Sequence, residues 1–109
     1  MKFVVNGQEL NNAVSKVVKA ISSKSTNPVL EGIKLSVVGD ELVLLATDNE
    51  ISIEKTINAS TFTEGETVVP GKLFADFVKK LENEEEIEFT LVENEIKINY
   101  GASEGLFKL

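Results

Sequence analysis

The stretch Glu66–Leu81, ETVVPGKLFADFVKKL, decides how this chain is read. It opens as a short β-prone run, meets a proline and continues with an apolar repeat of helical period. Proline is accepted in a first helical turn, where its missing N–H has no partner to lose, so Pro70 marks a helix start. Leu73, Phe74, Phe77, Val78 and Leu81 recur at steps of one, three, one and three, the spacing of a single helix face. Lys72, Asp76, Lys79 and Lys80 fall off that face. A helix so patterned buries one side on a sheet and presents mostly lysines on the other.

The same unit recurs 63 positions upstream. Phe3-Val4-Val5 stands about where Thr67-Val68-Val69 stands, Leu10 falls on Leu73, Val14 on Phe77, Val18 on Leu81 and Lys16 on Lys79. Asn6 or Gly7 starts this first helix, with Glu9 in the turn where a carboxylate suits the dipole. Its stripe is Leu10, Ala13, Val14, Val17, Val18 and Ile21, with Asn12, Ser15, Lys16 and Lys19 opposite.

Short alternating runs follow each helix. After the first come a strand within Val29–Val38, a Gly39-Asp40 hairpin turn and a return strand over Leu42–Thr47. The LVLLA run of that return strand marks a central place in the sheet, or burial on both faces. Ile51, Ile53 and, after a break in phase, Ile57 form a third strand. After the second helix, Ile87, Phe89 and Leu91 share one strand face and Ile96, Ile98 and Tyr100 the next, and a last strand begins at Leu106. Residues 22–28, 58–65 and 82–86 read as polar connections. Each half is therefore strand–helix–strand–strand–strand. This internal duplication predicts one α+β domain with both helices on one face of antiparallel sheet.

The composition narrows the chemistry. The 109 residues are 42% hydrophobic and 27% charged, an ordinary globular balance. Cysteine and histidine are both absent, which removes thiolate metal sites, the commonest metal ligand and the commonest general base. Asp48-Asn49-Glu50 lacks the spacing of a calcium loop and reads as a turn. Glu84-Glu85-Glu86 reads as a solvated acidic loop. No nucleophile–base arrangement and no glycine-rich phosphate loop is present, so no enzyme, catalytic residue, cofactor or metal is expected. No apolar run approaches the ~20 residues that span a bilayer, so no membrane partner is expected. Met1 leads straight into a strand pattern, which predicts no signal peptide and a cytoplasmic location. The last strand still runs at Leu109, which reads as part of a longer chain.

The net charge is −7, but the charge is segregated. Asn11–Lys24 carries three lysines and no acid, and Gly71–Leu81 three lysines and one acid. The segments Ser25–Pro70 and Glu82–Leu109 each carry eight acids against two lysines. Potential is local, so an acidic protein can hold a basic helix face. There is no arginine, and no aromatic residue interleaves the lysines. Such a face suits diffuse, salt-sensitive contact with phosphates rather than base readout. The net charge alone supports another reading, an acidic protein-interaction module or DNA mimic. A mimic would spread carboxylates over an exposed face and has no use for lysine-only helix faces.

Four segments in order, MKFVV, STNPVLEGIKL, VVGDELVLLATDNEISIE and TVVPGKLFADFVKKL, resemble the first domain of the bacterial sliding clamp, the β subunit of DNA polymerase III. The resemblance covers the whole chain in register with Met1. It implies a DNA-clamp fold and one of three such domains in a longer chain, two chains closing head-to-tail into a ring around duplex DNA. It implies a processivity factor that tethers DNA polymerase III and is placed by a clamp loader, through a pocket in later domains. By this similarity Lys24, Lys72 and Lys79 fall where the family carries DNA-facing basic residues. Lys16, Lys19 and Lys80 join them from helical geometry. Phe77, Leu81 and Phe107 match positions near the contact between chains of the homodimeric ring, although core packing explains Phe77 and Leu81 equally well.

Overall fold

The computed structural model describes residues 1–21, 32–47 and 51–109. Both halves follow the order read from the sequence. The first is β1 (Lys2–Val5), α1 (Gly7–Val17), a 3-10 turn over Val18–Ala20, β2 (Gly32–Val38), β3 (Glu41–Thr47) and β4 (Ser52–Asn58). The second is β6 (Gly65–Pro70), α2 (Gly71–Lys79), β7 (Ile87–Val92), β8 (Glu95–Tyr100) and β9 (Ser103–Lys108). Between them the 58–65 connection holds a strand of its own, β5 (Ser60–Thr63). Its composition is polar, and Phe62 on it is 66% exposed, so no buried alternation announces it. Pairing with β1 makes it a strand, at a bulge between Lys2 and Phe3.

The helices start at Gly7 and Gly71, so the repeat offset is 64 positions rather than 63. This one-residue correction changes which residues of the two helices correspond, while Phe74, Val78 and Leu81 keep their expected burial. Buried Leu10 corresponds to Phe74, Val14 to Val78 and Val17 to Leu81. Leu73, expected on the buried face, is 65% exposed, and Ala75 is buried instead. At about 100° per residue Leu73 stands about 40° beyond Phe77, past the flank of the stripe, while Ala75 lies on the opposite flank against α1. Pro70 is also one position earlier than expected. It ends β6 and stands at the N-cap with φ −61° and ψ 117°. Asn6 fills the same place on α1, accepting the Glu9 N–H on its side-chain oxygen at 3.0 Å.

The antiparallel sheet expected under the helices is divided in two, ordered β5-β1-β7-β8-β9 and β4-β3-β2-β6. Each unit lends its first strand to the other. β1 pairs with β7 over Lys2–Val5, and β6 pairs with β2 over Gly65–Pro70. β3 lies between β2 and β4, as its apolar run indicates. β4 pairs with β3 without a register shift, so Ile53 and Ile57 share one face and the expected break in phase does not occur. Lys55 merely interrupts the row.

One core joins the inner faces of both sheets to both helices. Phe3, Ile33, Leu35, Leu44, Phe89 and Ile98 meet Leu10, Val14, Phe74 and Val78 in it. Six of the seven aromatic residues form a continuous chain: Phe3 stacks on Phe89, Phe89 meets Phe74, Phe74 meets Phe107, Phe107 meets Phe77 and Phe77 meets Tyr100. These contacts hold α2 against β7, β8 and β9. No helix of the described residues is long and apolar enough to cross a membrane.

Candidate nucleic-acid interface

The relation between the two helices is set at Gly7. The first turn of α1 abuts the end of α2 so closely that a Cβ on Gly7 would lie 2.0 Å from the Leu81 carbonyl oxygen and 2.6 Å from that of Glu84. The Gly7 N–H donates to the Glu84 carbonyl at 2.8 Å, which satisfies one of the donors a helix start leaves unpaired. One turn on, the Asn11 amide donates to the Glu82 carboxylate at 3.1 Å. The acidic linker after α2 thus works locally as an anchor for α1, and the helices run side by side in opposite directions. The sequence signal for this contact, a glycine where helix propensity favours almost anything else, is legible but ambiguous there.

A groove of about 350 Å³ runs along the outer side of this helix pair. Ser15, Val18 and Lys19 line it from the first unit, Lys72, Asp76 and Lys79 from the second. Three of the six sequence-selected lysines therefore converge on one surface, two from α2 and one from the turn after α1. Lys16 and Lys80 are exposed but do not line the groove. With the corrected offset they occupy equivalent places on their helices. Lys24 lies outside the described residues.

Pairing separates these lysines from three of the five on the strands. Among the described residues the ion pairs are Lys34–Glu66 at 3.3 Å, Lys97–Glu104 at 3.9 Å and Lys2–Glu88 at 4.0 Å, all between strands. Lys2 also stands over the Phe62 ring at 5.5 Å. Among the described residues Lys16, Lys19, Lys72, Lys79 and Lys80 have no such partner, which leaves their ammonium groups to an external anion. Among the described residues Asp76 is the one carboxylate lining the groove, and it ion-pairs with none of them.

Of the residues selected as ring contacts, Phe77 and Phe107 are half-buried and meet edge-on, with ring centroids 5.1 Å apart. Leu81 is 2% exposed, and its side chain is turned into the core beside Val78. Asp48, Asn49 and Glu50 lie outside the described residues. Glu84 and Glu85 belong to the α1 anchor through their backbone carbonyls, Glu85 accepting from the Asn6 amide at 3.4 Å.

Comparison with known proteins places this geometry. A beta sliding clamp of Staphylococcus epidermidis is 37% identical over 93 residues, 78% of this chain and 25% of that protein. A beta sliding clamp of Staphylococcus aureus is 36% identical over 89 residues, 74% of this chain and 24% of its own length. The chain thus spans about a quarter of the curated relatives it matches. The β subunit of DNA polymerase from Streptococcus pyogenes superposes with a TM-score of 0.92 at 25% identity, over 99% of this chain and 30% of that one. A Pseudomonas aeruginosa sliding clamp solved with griselimycin bound superposes at 0.90 with 26% identity, over 99% of this chain and 30% of that one. The family model of the N-terminal domain of the DNA polymerase III beta subunit matches residues 1–109, and the chain belongs to that family.

Proposed function

We propose that this chain is the first domain of a replication processivity clamp. Its two-helix face turns toward duplex DNA and its sheets form the outer wall. The observation that carries this reading is the groove between the helices, where Lys19, Lys72 and Lys79 converge without an ion-pair partner among the described residues, while Lys2, Lys34 and Lys97 on the sheets are each matched to a glutamate. Contact is with phosphates, independent of sequence, and no chemical step is catalysed. Weak contact is what a sliding ring needs: topology retains the DNA, and tight phosphate binding would only slow movement. The ring is a head-to-tail homodimer of longer chains, with Phe77 and Phe107 near the contact and Leu81 supporting Phe77 from the core. DNA polymerase III and the clamp loader engage the rest of that chain, in the cytoplasm. The exposed sides of α1 and α2 carry lysines, which is the reverse of what a DNA mimic requires.

Fluorescence anisotropy with a labelled duplex tests the face. The isolated chain binds no tighter than ~10⁻⁴–10⁻⁶ M. If the three groove lysines each neutralise one phosphate, the log–log salt slope is about −2.7, a loss of about 40-fold from 50 to 200 mM salt. Lys72→Glu with Lys79→Glu abolishes the binding, and the same pair in a complete ring, with Lys24→Glu added, impairs retention on DNA. Nanomolar binding by the chain, or a charge-reversed ring retained as well as the parent, overturns the assignment.

A further inference from the structure

Two structural demands meet at neighbouring positions. Position 7 requires glycine, because a Cβ there would lie 2.0 Å from the Leu81 carbonyl oxygen. Asn6 supplies the cap of α1, its side-chain oxygen accepting the Glu9 N–H at 3.0 Å while its amide donates to the Glu85 carbonyl at 3.4 Å. Together they make Asn6-Gly7, the one asparagine–glycine pair in the chain. Such a pair is chemically labile in an unfolded chain. With no Cβ on the second residue, its backbone nitrogen reaches the asparagine side-chain carbonyl carbon without a clash, helped by the conformational freedom of glycine. The fold withholds that approach. The N–H of buried Gly7 is committed to the Glu84 carbonyl at 2.8 Å, and the Asn6 side chain is held at both ends. Ring closure needs the Asn6 Cβ and the Gly7 nitrogen nearly eclipsed about the Asn6 Cα–C bond, and the Asn6 ψ of 136° keeps them well apart.

We propose that Asn6-Gly7 is a self-modification site gated by the docking of α1 against the end of α2. When α1 comes away, the Gly7 nitrogen gives its proton to water or hydroxide and attacks the Asn6 Cγ. The new C–N bond closes a five-membered succinimide, and the side-chain nitrogen takes up a proton and leaves as ammonia. Water then opens the ring. Cleavage between Cγ and the Gly7 nitrogen gives aspartate on the original backbone. Cleavage between the backbone carbonyl carbon and that nitrogen gives isoaspartate, in which the chain runs through Cβ and Cγ. Nothing is oxidised or reduced, and both products carry an added negative charge. Their consequences differ. Aspartate keeps an oxygen for the Glu9 N–H and caps a helix as well as asparagine does. Isoaspartate lengthens the main chain by a methylene, so Gly7 no longer meets Glu84 while the cap meets Glu9. Chains that have opened at α1 are thereby marked, and an isoaspartyl chain cannot restore the helix contact on which the lysine groove depends. The inference does not rest on the clamp reading, and its failure leaves that reading untouched.

Incubation of the 109-residue chain at neutral pH, in buffer and in concentrated urea, followed by peptide mapping with mass detection, tests the site. In urea the Asn6-Gly7 peptide loses ammonia and gains isoaspartate faster than those holding Asn58-Ala59 or Asn83-Glu84, where the next side chain hinders the ring. In buffer the same reaction is slower than in urea by about tenfold or more, because the reactive state requires local opening. Urea added below the unfolding transition tests the gate: the rate rises in step with hydrogen exchange of the Gly7 N–H, followed by NMR. The isoaspartyl product, separated by chromatography, melts below the parent, and Asn6→Asp, which stands for the other product, melts with it. Modification in urea no faster at Asn6 than at Asn58, equal rates in buffer and urea, or a rate that stays flat while Gly7 exchange quickens overturns the inference. An isoaspartyl chain as stable as the parent overturns it as well.

Discussion

Gly7→Ala sets two physical effects against each other. Helix propensity favours alanine over glycine by up to about 1 kcal/mol. Packing opposes it: the new Cβ would stand 2.0 Å from one backbone carbonyl oxygen and 2.6 Å from another, neither on a flexible side chain. Relief requires α1 to withdraw from the end of α2, at an overpacking cost of about 1–3 kcal/mol or more. The withdrawal also stretches the 2.8 Å hydrogen bond from Gly7 to Glu84, worth about 1 kcal/mol. The net expectation is a loss of about 3 kcal/mol, a large share of the 5–15 kcal/mol typical of a domain. With an unfolding entropy of about 2.1 cal/mol/K per residue this lowers Tm by about 13 °C. With a urea m-value of about 1.5 kcal/mol/M it lowers the midpoint by about 2 M. Gly39→Ala is the control. Gly39 has φ +60° but open space around it, so only backbone strain of about 1 kcal/mol applies. The groove between Lys19 and Lys72 depends on the same helix contact, so whatever duplex binding the parent shows should fall with stability. A Gly7→Ala protein as stable as the parent would refute the claim that this close approach positions the helices.

Phe74 links sheet and helix through Phe89 and Phe107, so Phe74→Ala costs about 3–5 kcal/mol in urea unfolding, whereas Leu73→Ser next to it stays within about 0.5 kcal/mol. Equal effects at the two positions would restore the stripe first read from the sequence. Asn6→Ala removes the oxygen that accepts the Glu9 N–H and costs about 1 kcal/mol, while Asn6→Asp retains stability; thermal melts of both variants check this.

The sequence by itself determined the order of elements, the duplication and the segregation of lysines onto helices. These are carried by local periodicity, and periodicity survives without knowledge of neighbours: β2, β3, β7 and β8 and the Asn6 cap stand where it puts them. A resemblance in four ordered segments added the family. Tertiary structure decided what periodicity leaves degenerate. A stripe read at residues 73 and 74 allows two rotations of α2, and only packing against the sheets turned Phe74 inward and Leu73 out. β5 exists because β1 offers it a partner, a long-range pairing its polar residues do not announce. The exchange of first strands between the two units is likewise invisible locally, because a strand's alternation says which face is buried and nothing about which neighbour it pairs with. The same holds for the candidate site: the sequence could nominate six lysines, but the antiparallel contact of the two helices at Gly7 selected Lys19, Lys72 and Lys79 for one groove, since convergence is a property of helix docking and not of spacing along the chain.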